Sequence, residues 1–273
     1  MDDPHMPDAA LYESKDRAYS LLESGDREQA EKHMHQLLES IPGDFDDDNF
    51  YDEVAKFFFK LENYPEAEKY YEKALKTFKP ESYNYDYRDQ LYEALGVCLH
   101  KQKKHGRALT FFQQAAAICT DPKIMPSLYF AQGCCYLGLK QYAEAEIYYR
   151  NAYKLNPNQK IRFHLAYALG NQGKFPQAEA FCLEALEIDS EDGNFHLLLA
   201  VLNKRMGFLD QADEYITKAK KCRNDKPLLV GDFRAMLRNL ELNILGTIVI
   251  TNYTADDAPT GDSWLGSLGP GLE

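Results

Sequence analysis

Residues 126–155 read PSLYFAQGCCYLGLKQYAEAEIYYRNAYKL and contain two helical segments with small residues at matching places. Gly133 lies on one face of the first segment, and Ala145 and Ala152 lie on one face of the second, with Tyr149 between them. Small side chains let two helix backbones approach near the short end of the usual interaxial range of about 8 to 10 Å. Pro157 follows and cannot continue the second helix. The stretch therefore predicts one helical hairpin.

The same pattern of alanine, three residues, a bulky residue, two residues and alanine recurs along the chain. Its first alanines are Ala67, Ala108, Ala145, Ala178 and Ala212, with a less regular copy at Ala30. They are separated by 37, 41, 37, 33 and 34 residues, and a period near 34 residues is typical of stacked helical hairpins. We predict six hairpins, at residues 11–44, 48–80, 89–121, 126–158, 159–192 and 193–226.

At this point the sequence resembles the tetratricopeptide repeat superfamily over residues 11–225. The superfamily pattern of Trp, Leu-Gly, Tyr, Ala, Phe, Ala and Pro is matched by Tyr129, Gly133, Tyr136, Ala145, Tyr149, Ala152 and Pro157. The resemblance implies an all-α fold, a right-handed α-solenoid of about six hairpins. It also implies that the first helices of successive hairpins line a concave groove that holds an extended peptide.

The two ends of the chain differ from the repeats. We predict a disordered N-terminus at residues 1–10 and a capping helix at residues 227–246, where apolar residues recur at helical spacing. Such a helix covers the last apolar face of a solenoid. Residues 247–273 are rich in Gly, Ser, Pro and Asp, which predicts a flexible acidic tail.

Composition narrows the function. The net charge of -12 disfavours a nucleic-acid partner, which needs a basic face. No apolar run is long enough to span a membrane, and residues 1–10 do not resemble a signal peptide, so we expect a cytoplasmic protein. The histidines and cysteines form no metal-binding or catalytic motif, and no phosphate-binding glycine loop is present. We therefore expect a protein that is not an enzyme and has no metal or cofactor.

The resemblance also implies which residues face the groove, namely the second, fifth, sixth, ninth, twelfth and thirteenth of each hairpin. On this basis the predicted peptide-binding residues are Phe130, Cys134, Leu137, Lys160, Phe163, His164, Tyr167, Asn171, Leu197, Val201, Lys204 and Arg205. They are apolar and aromatic with positive charge at the edge, which predicts an apolar, acidic peptide as partner. The first three hairpins contribute a more charged wall, with Lys15, Tyr19, Asp52, Lys56, Glu93, Val97, His100 and Lys101.

These residues favour an adaptor that binds a segment of another protein, with a structural subunit of a larger assembly as the alternative. A carboxylate-clamp co-chaperone of heat-shock proteins fits less well. In that subclass the clamp needs Asn four residues after Lys15, where Tyr19 stands, and Arg four residues after Lys160, where His164 stands.

Two further segments leave alternatives open. Residues 80–89 are either a tolerated loop insertion or a contact surface formed by Tyr83, Tyr85 and Tyr87. In the tail, Asp262, Trp264 and Leu265 have the acidic and apolar character that the groove favours. Residues 255–268 therefore either bind the groove of their own or a neighbouring molecule, serve as a motif for a partner, or have no role.

Overall fold

The computed structural model describes residues 6–43, 45–79 and 87–222. These residues form twelve α-helices and no strand, in two compact units. Unit 1 contains α1 (Met6–Glu23), α2 (Arg27–Ser40), α3 (Asp48–Lys60), α4 (Tyr64–Thr77), α5 (Arg88–Lys101) and α6 (His105–Ile118). Unit 2 contains α7 (Met125–Gly138), α8 (Tyr142–Leu155), α9 (Gln159–Asn171), α10 (Phe175–Ile188), α11 (Gly193–Met206) and α12 (Leu209–Lys221).

Each odd-numbered helix packs against the helix that follows it, so the described chain forms six hairpins. Within unit 1, α4 also packs against α5, and α1 contacts α3. Within unit 2, α8 packs against α9, α10 against α11, and α9 contacts α11. The predicted all-α fold of stacked hairpins is confirmed. The predicted capping helix and tail lie outside the described residues.

The small residues of the repeat mark the contact inside each hairpin. Ala145 and Ala152 are fully buried, and a Cβ atom added to Gly133 would lie 2.6 Å from Cε1 of Tyr149. Gly96 meets the ring of Phe112 in the same way, at 2.8 Å. We call the first helix of each hairpin the inner helix and the second the outer helix. In these two hairpins the inner helix leaves no room for a side chain where the aromatic ring of the outer helix lies against it.

The turn inside every hairpin contains one residue in the left-handed region, five residues before the repeat alanine. In the first, fifth and sixth hairpins this residue is Gly25, Gly173 or Gly207, which adopts a positive φ without strain. In the other three it is Glu62, Lys103 or Lys140, each with φ 61°. A left-handed residue with a side chain costs about 1 kcal/mol, so the packing of the two helices fixes this turn against local preference.

Buried glutamates link successive hairpins within a unit. Glu146 of α8 accepts a hydrogen bond from Nε2 of Gln172 at 2.9 Å and lies 2.7 Å from Nζ of Lys174, both in the turn after α9. Glu68 of α4 binds Gln102 and Lys104 in the same way in unit 1. Burial acts to raise the pKa of both carboxyls, but the donated hydrogen bonds outweigh it and lower the pKa. Lys104, in the turn of the third hairpin, thus has a structural partner in Glu68.

The N-terminal helix begins earlier than the sequence indicated. Residues 1–10 are predicted to be disordered, but α1 begins at Met6. Pro7 is compatible with this start, because the first turn of a helix does not use its backbone N–H groups.

Candidate functional site

Unit 1 contains a cavity of about 440 Å³ on the inner side of its hairpins. We call it the unit 1 cavity. It is lined by Tyr19 of α1, by Asp52, Glu53, Lys56, Phe59 and Lys60 of α3, by Tyr71 of α4, and by Tyr87, Gln90, Leu91, Glu93, Ala94 and Val97 at and within α5. Five of these residues belong to the charged wall that the sequence analysis assigned to the first three hairpins.

Helical spacing explains why these side chains share one surface. Asp52 and Lys56 are four residues apart on α3, and Glu93 and Val97 are four residues apart on α5, so each pair projects from one face of its helix. The positions are the fifth and ninth of their hairpins. The groove positions implied by the resemblance therefore converge on one cavity in unit 1.

The acidic groups of α3 hold the nearby cations. Nζ of Lys56 lies 2.9 Å from Oδ2 of Asp52 and 3.1 Å from Oε1 of Glu53. Nζ of Lys15, a buried residue, lies 3.9 Å from Oε2 of Glu53. Burial raises the pKa of Asp52, and the ammonium of Lys56 partly offsets this effect. The charges of α3 are therefore largely balanced within the unit.

Aromatic side chains that line the cavity lie beside these charges; they include Tyr19 and Phe59, and we call them the aromatic wall. The hydroxyl of Tyr19 donates a hydrogen bond to the backbone oxygen of Glu53 at 2.7 Å, and its ring meets Phe57 edge to face at 5.3 Å between centroids. Nζ of Lys60 lies 5.4 Å from the centre of the Tyr19 ring. Burial, together with nearby Glu53, raises the pKa of Tyr19, which keeps its hydroxyl neutral. The Tyr19 side chain is therefore fixed through both its ring and its hydroxyl.

Glu93 differs from the other acidic groups of the cavity. Its side chain is half-buried, and no described residue forms a hydrogen bond or ion pair with its carboxylate. Burial, and secondly the charge of Asp89, raises the pKa of Glu93 to about 7. This carboxylate is the least satisfied charge on the cavity wall.

Unit 2 contains all twelve predicted peptide-binding residues, and the structure divides them by exposure. Phe163 and Val201 are fully buried. Phe130, Cys134, His164, Tyr167 and Leu197 are also buried, each with less than a tenth of its surface exposed. Leu137, Lys160, Asn171 and Lys204 are half-buried, and Arg205 is exposed.

Phe163, which the sequence predicts to contact a peptide, has no exposed surface. Its ring meets the ring of Phe195 on α11 at 5.6 Å between centroids, so it fills the space between two inner helices. Val201 is likewise a core residue of α11. Helical spacing places both residues on the correct side of their helix, but a neighbouring inner helix covers that side.

Several other predicted residues have partners inside unit 2. The hydroxyl of Tyr149 donates to Sγ of Cys134 at 3.5 Å and lies 3.3 Å from Nδ1 of His164. Burial raises the pKa of Cys134 to about 11, so it remains a thiol. The side-chain amide of Asn171 donates to the backbone oxygen of Tyr167 at 2.9 Å. The predicted contacts of unit 2 that keep exposed surface are Leu137, Lys160, Asn171, Lys204 and Arg205.

The predicted tail motif, Asp262, Trp264 and Leu265, and the self-binding segment 255–268 lie outside the described residues. Within residues 6–43, 45–79 and 87–222, no helix combines the length and apolar character needed to cross a bilayer.

Sequence models of the tetratricopeptide repeat family match residues 47–121, 126–159 and 164–188. The chain is a tetratricopeptide repeat protein. This family membership implies a role in protein–protein interaction, and its fold is typically not catalytic. No curated protein sequence matches this tetratricopeptide repeat protein significantly.

Solved structures share the fold at low sequence identity. A tetratricopeptide repeat protein from Parabacteroides merdae has a TM-score of 0.67 at 15% identity, over 86% of each chain. PilF of Pseudomonas aeruginosa has a TM-score of 0.55 at 22% identity, over 84% of this chain and 98% of that one. YrrB, a tetratricopeptide repeat protein with an unusual peptide-binding site, has a TM-score of 0.53 at 20% identity, over 74% and 97%. At these identities the likeness concerns the fold alone.

Proposed function

We propose that this protein is an adaptor and that the unit 1 cavity binds an extended peptide segment of a partner protein. The observation that carries the proposal is the cavity itself, about 440 Å³ of space between inner helices with aromatic and charged walls. A volume of this size accommodates a small number of peptide side chains, and aromatic walls with a few fixed polar groups are typical of binding sites. A buried anchor residue contributes about 1.5 to 3 kcal/mol.

The arrangement of the cavity favours a peptide over a reactive substrate. Its ionisable groups either pair with one another, as Lys56 does with Asp52, or stand without a second catalytic group, as Glu93 does. Acid–base catalysis needs a donor and an acceptor aimed at one reacting atom. A preformed surface of rigid rings and paired charges serves recognition instead.

For unit 2 we propose fewer peptide contacts than the sequence predicts. The half-buried Leu137, Lys160 and Lys204 and the exposed Arg205 remain candidate contacts for an apolar, acidic segment. Residues 255–268 of this chain have that composition and would compete with a partner for unit 2 at high effective concentration.

A structural subunit of a larger assembly is the second candidate. Leu155 and Ile188 occupy equivalent places at the ends of α8 and α10, three residues after the second repeat alanine, and are 54% and 69% exposed. A regular pair of exposed apolar side chains favours a contact outside the groove. A carboxylate clamp fits less well, because the carboxylate of a peptide would meet Asp52, Glu53 and Glu93 in the unit 1 cavity.

Filling the unit 1 cavity tests the adaptor. Ala94 is half-buried and lines the cavity, so Ala94→Trp should occupy the space that a peptide needs. We expect this variant to bind peptides at least about tenfold more weakly than the natural chain. The measurement is fluorescence anisotropy with labelled, degenerate mixtures of extended peptides, and circular dichroism verifies folding.

Gln113→Trp is the matched control, since Gln113 is exposed on the outer helix α6. It should bind as the natural chain does. Equal affinity of the Ala94→Trp and Gln113→Trp variants, or no binding of any mixture to the natural chain, would remove the unit 1 cavity from the proposal.

A further inference from the structure

Glu93 is a charged group on the wall of the unit 1 cavity that has no partner in the described structure. It lies on α5, half-buried, and the charged residue that acts on it most is Asp89, a like charge one turn earlier on the same helix. A half-buried carboxylate beside a like charge is costly to ionise. A cation brought by a ligand would relieve that cost.

The cations already in the cavity do not supply this charge. Lys56 contacts Asp52 and Glu53, and Lys60 lies against the ring of Tyr19. The titratable groups that share the cavity with Glu93 are Asp52, Glu53, Lys56 and Lys60 of α3, Tyr19 of α1, Tyr71 of α4, and Tyr87 before α5. Three carboxylates and two ammonium groups therefore line the cavity, and the ammonium groups are engaged on the α3 side.

We infer that the segment bound in the unit 1 cavity carries an arginine or lysine that pairs with Glu93, flanked by apolar residues that contact the aromatic wall. This inference rests on the proposed peptide-binding function and specifies the chemistry of the partner. Charge complementarity excludes the acidic segment that the sequence predicts for unit 2, because an anion here would be repelled by Glu93 and Asp52. The apolar neighbours would lie against Tyr19, Phe59 and Val97.

The test compares peptide mixtures that differ only at one central position. The mixtures are about ten residues long, with arginine, citrulline or glutamate at the centre and a mixture of Ala, Leu, Val and Tyr elsewhere; such lengths suit an extended strand in a groove. Citrulline keeps the shape of arginine without its charge. We expect the arginine mixture to bind the natural chain about tenfold more tightly than the citrulline mixture, with the glutamate mixture weakest.

Glu93→Gln should abolish the preference for arginine over citrulline without weakening citrulline binding. The matched control is Glu39→Gln, which removes the same charge from an exposed site on α2 in unit 1. The control should keep the full preference. Retention of the arginine preference in the Glu93→Gln variant would overturn the assignment to Glu93.

A second arm uses the natural chain alone and so does not depend on how a variant folds. Because the pKa of Glu93 is about 7, its ionised fraction rises from about one tenth near pH 6 to about nine tenths near pH 8. Affinity for the arginine mixture should rise about fivefold over this interval, and affinity for the citrulline mixture should not.

The outcomes separate the inference from the function on which it rests. If all three mixtures bind equally and without pH dependence, peptide binding stands and the basic partner is wrong. If no mixture binds at any pH, the peptide-binding function itself fails. A tighter interaction with the glutamate mixture would also contradict the inference, since it requires a positive cavity.

Discussion

Replacing Phe163 by alanine should lower the free energy of unfolding by about 3 to 5 kcal/mol, as is usual for the loss of a fully buried aromatic side chain. Phe163 has no exposed surface, and its ring packs edge to face on Phe195 and lies 6.1 Å from the ring of His164. Truncation would leave a void between α9 and α11 that the adjoining helices fill only in part. The measurement is urea denaturation followed by circular dichroism.

Phe208→Ala is the control for this prediction, because Phe208 belongs to the same unit and is 53% exposed. Its loss should change stability by no more than about 0.5 kcal/mol. Equal costs for the two variants would mean that Phe163 is not a core residue. The prediction also affects the design of binding experiments, since charged substitutions at Phe163 would damage the core of unit 2 before they reported on a groove.

Gly133→Ala should destabilise the protein although alanine is the better helix former. The added methyl group would lie 2.6 Å from Cε1 and 2.7 Å from Cδ1 of Tyr149, whose ring is fully buried and cannot move freely. Overpacking of this kind costs about 1 to 3 kcal/mol, while the gain in helix propensity is about 1 kcal/mol. We therefore expect a net loss of up to about 2 kcal/mol in the same urea experiment.

Gly106→Ala gives the opposite expectation and serves as the control. Gly106 is also helical, in α6, but a Cβ atom added there would meet no atom within 4 Å. Stability should rise by about 0.5 kcal/mol or more from helix propensity alone. A stabilising effect at both glycines would contradict the close approach of α7 and α8.

The hairpins could be predicted from the sequence because small residues are required at a fixed period. Gly133 marks a contact that admits no side chain, and Ala145 and Ala152 are fully buried. The recurrence of such small residues is visible without coordinates. The turns are harder to predict from the sequence, because Glu62 and Lys140 adopt a conformation that neither residue type favours. Glu146 and Lys174 are also distant in sequence, and only the stacking of two hairpins brings them together.

The sequence predicts on which side of its helix each residue of the candidate site lies, but not how deeply that residue is buried. The fifth residue of a hairpin faces inward in both units, and it is Glu93 in one hairpin and Phe163 in another. Helical spacing gives this direction for both, yet Glu93 lines a cavity while Phe163 is enclosed by α11. The difference depends on how closely the next inner helix approaches, which no single hairpin encodes. The cavity therefore lies in unit 1, whose groove positions are less apolar than those of unit 2.

The most direct measurement locates a bound peptide on unit 1 by photo-crosslinking. Gln90, an exposed residue that lines the unit 1 cavity, and Gln113, exposed on α6, are replaced in turn by p-benzoylphenylalanine, and each variant is irradiated with the arginine mixture. We predict a peptide adduct from position 90 and none above background from position 113. Equal adducts from both positions, or an adduct from position 113 alone, would contradict a peptide site on the inner surface of unit 1.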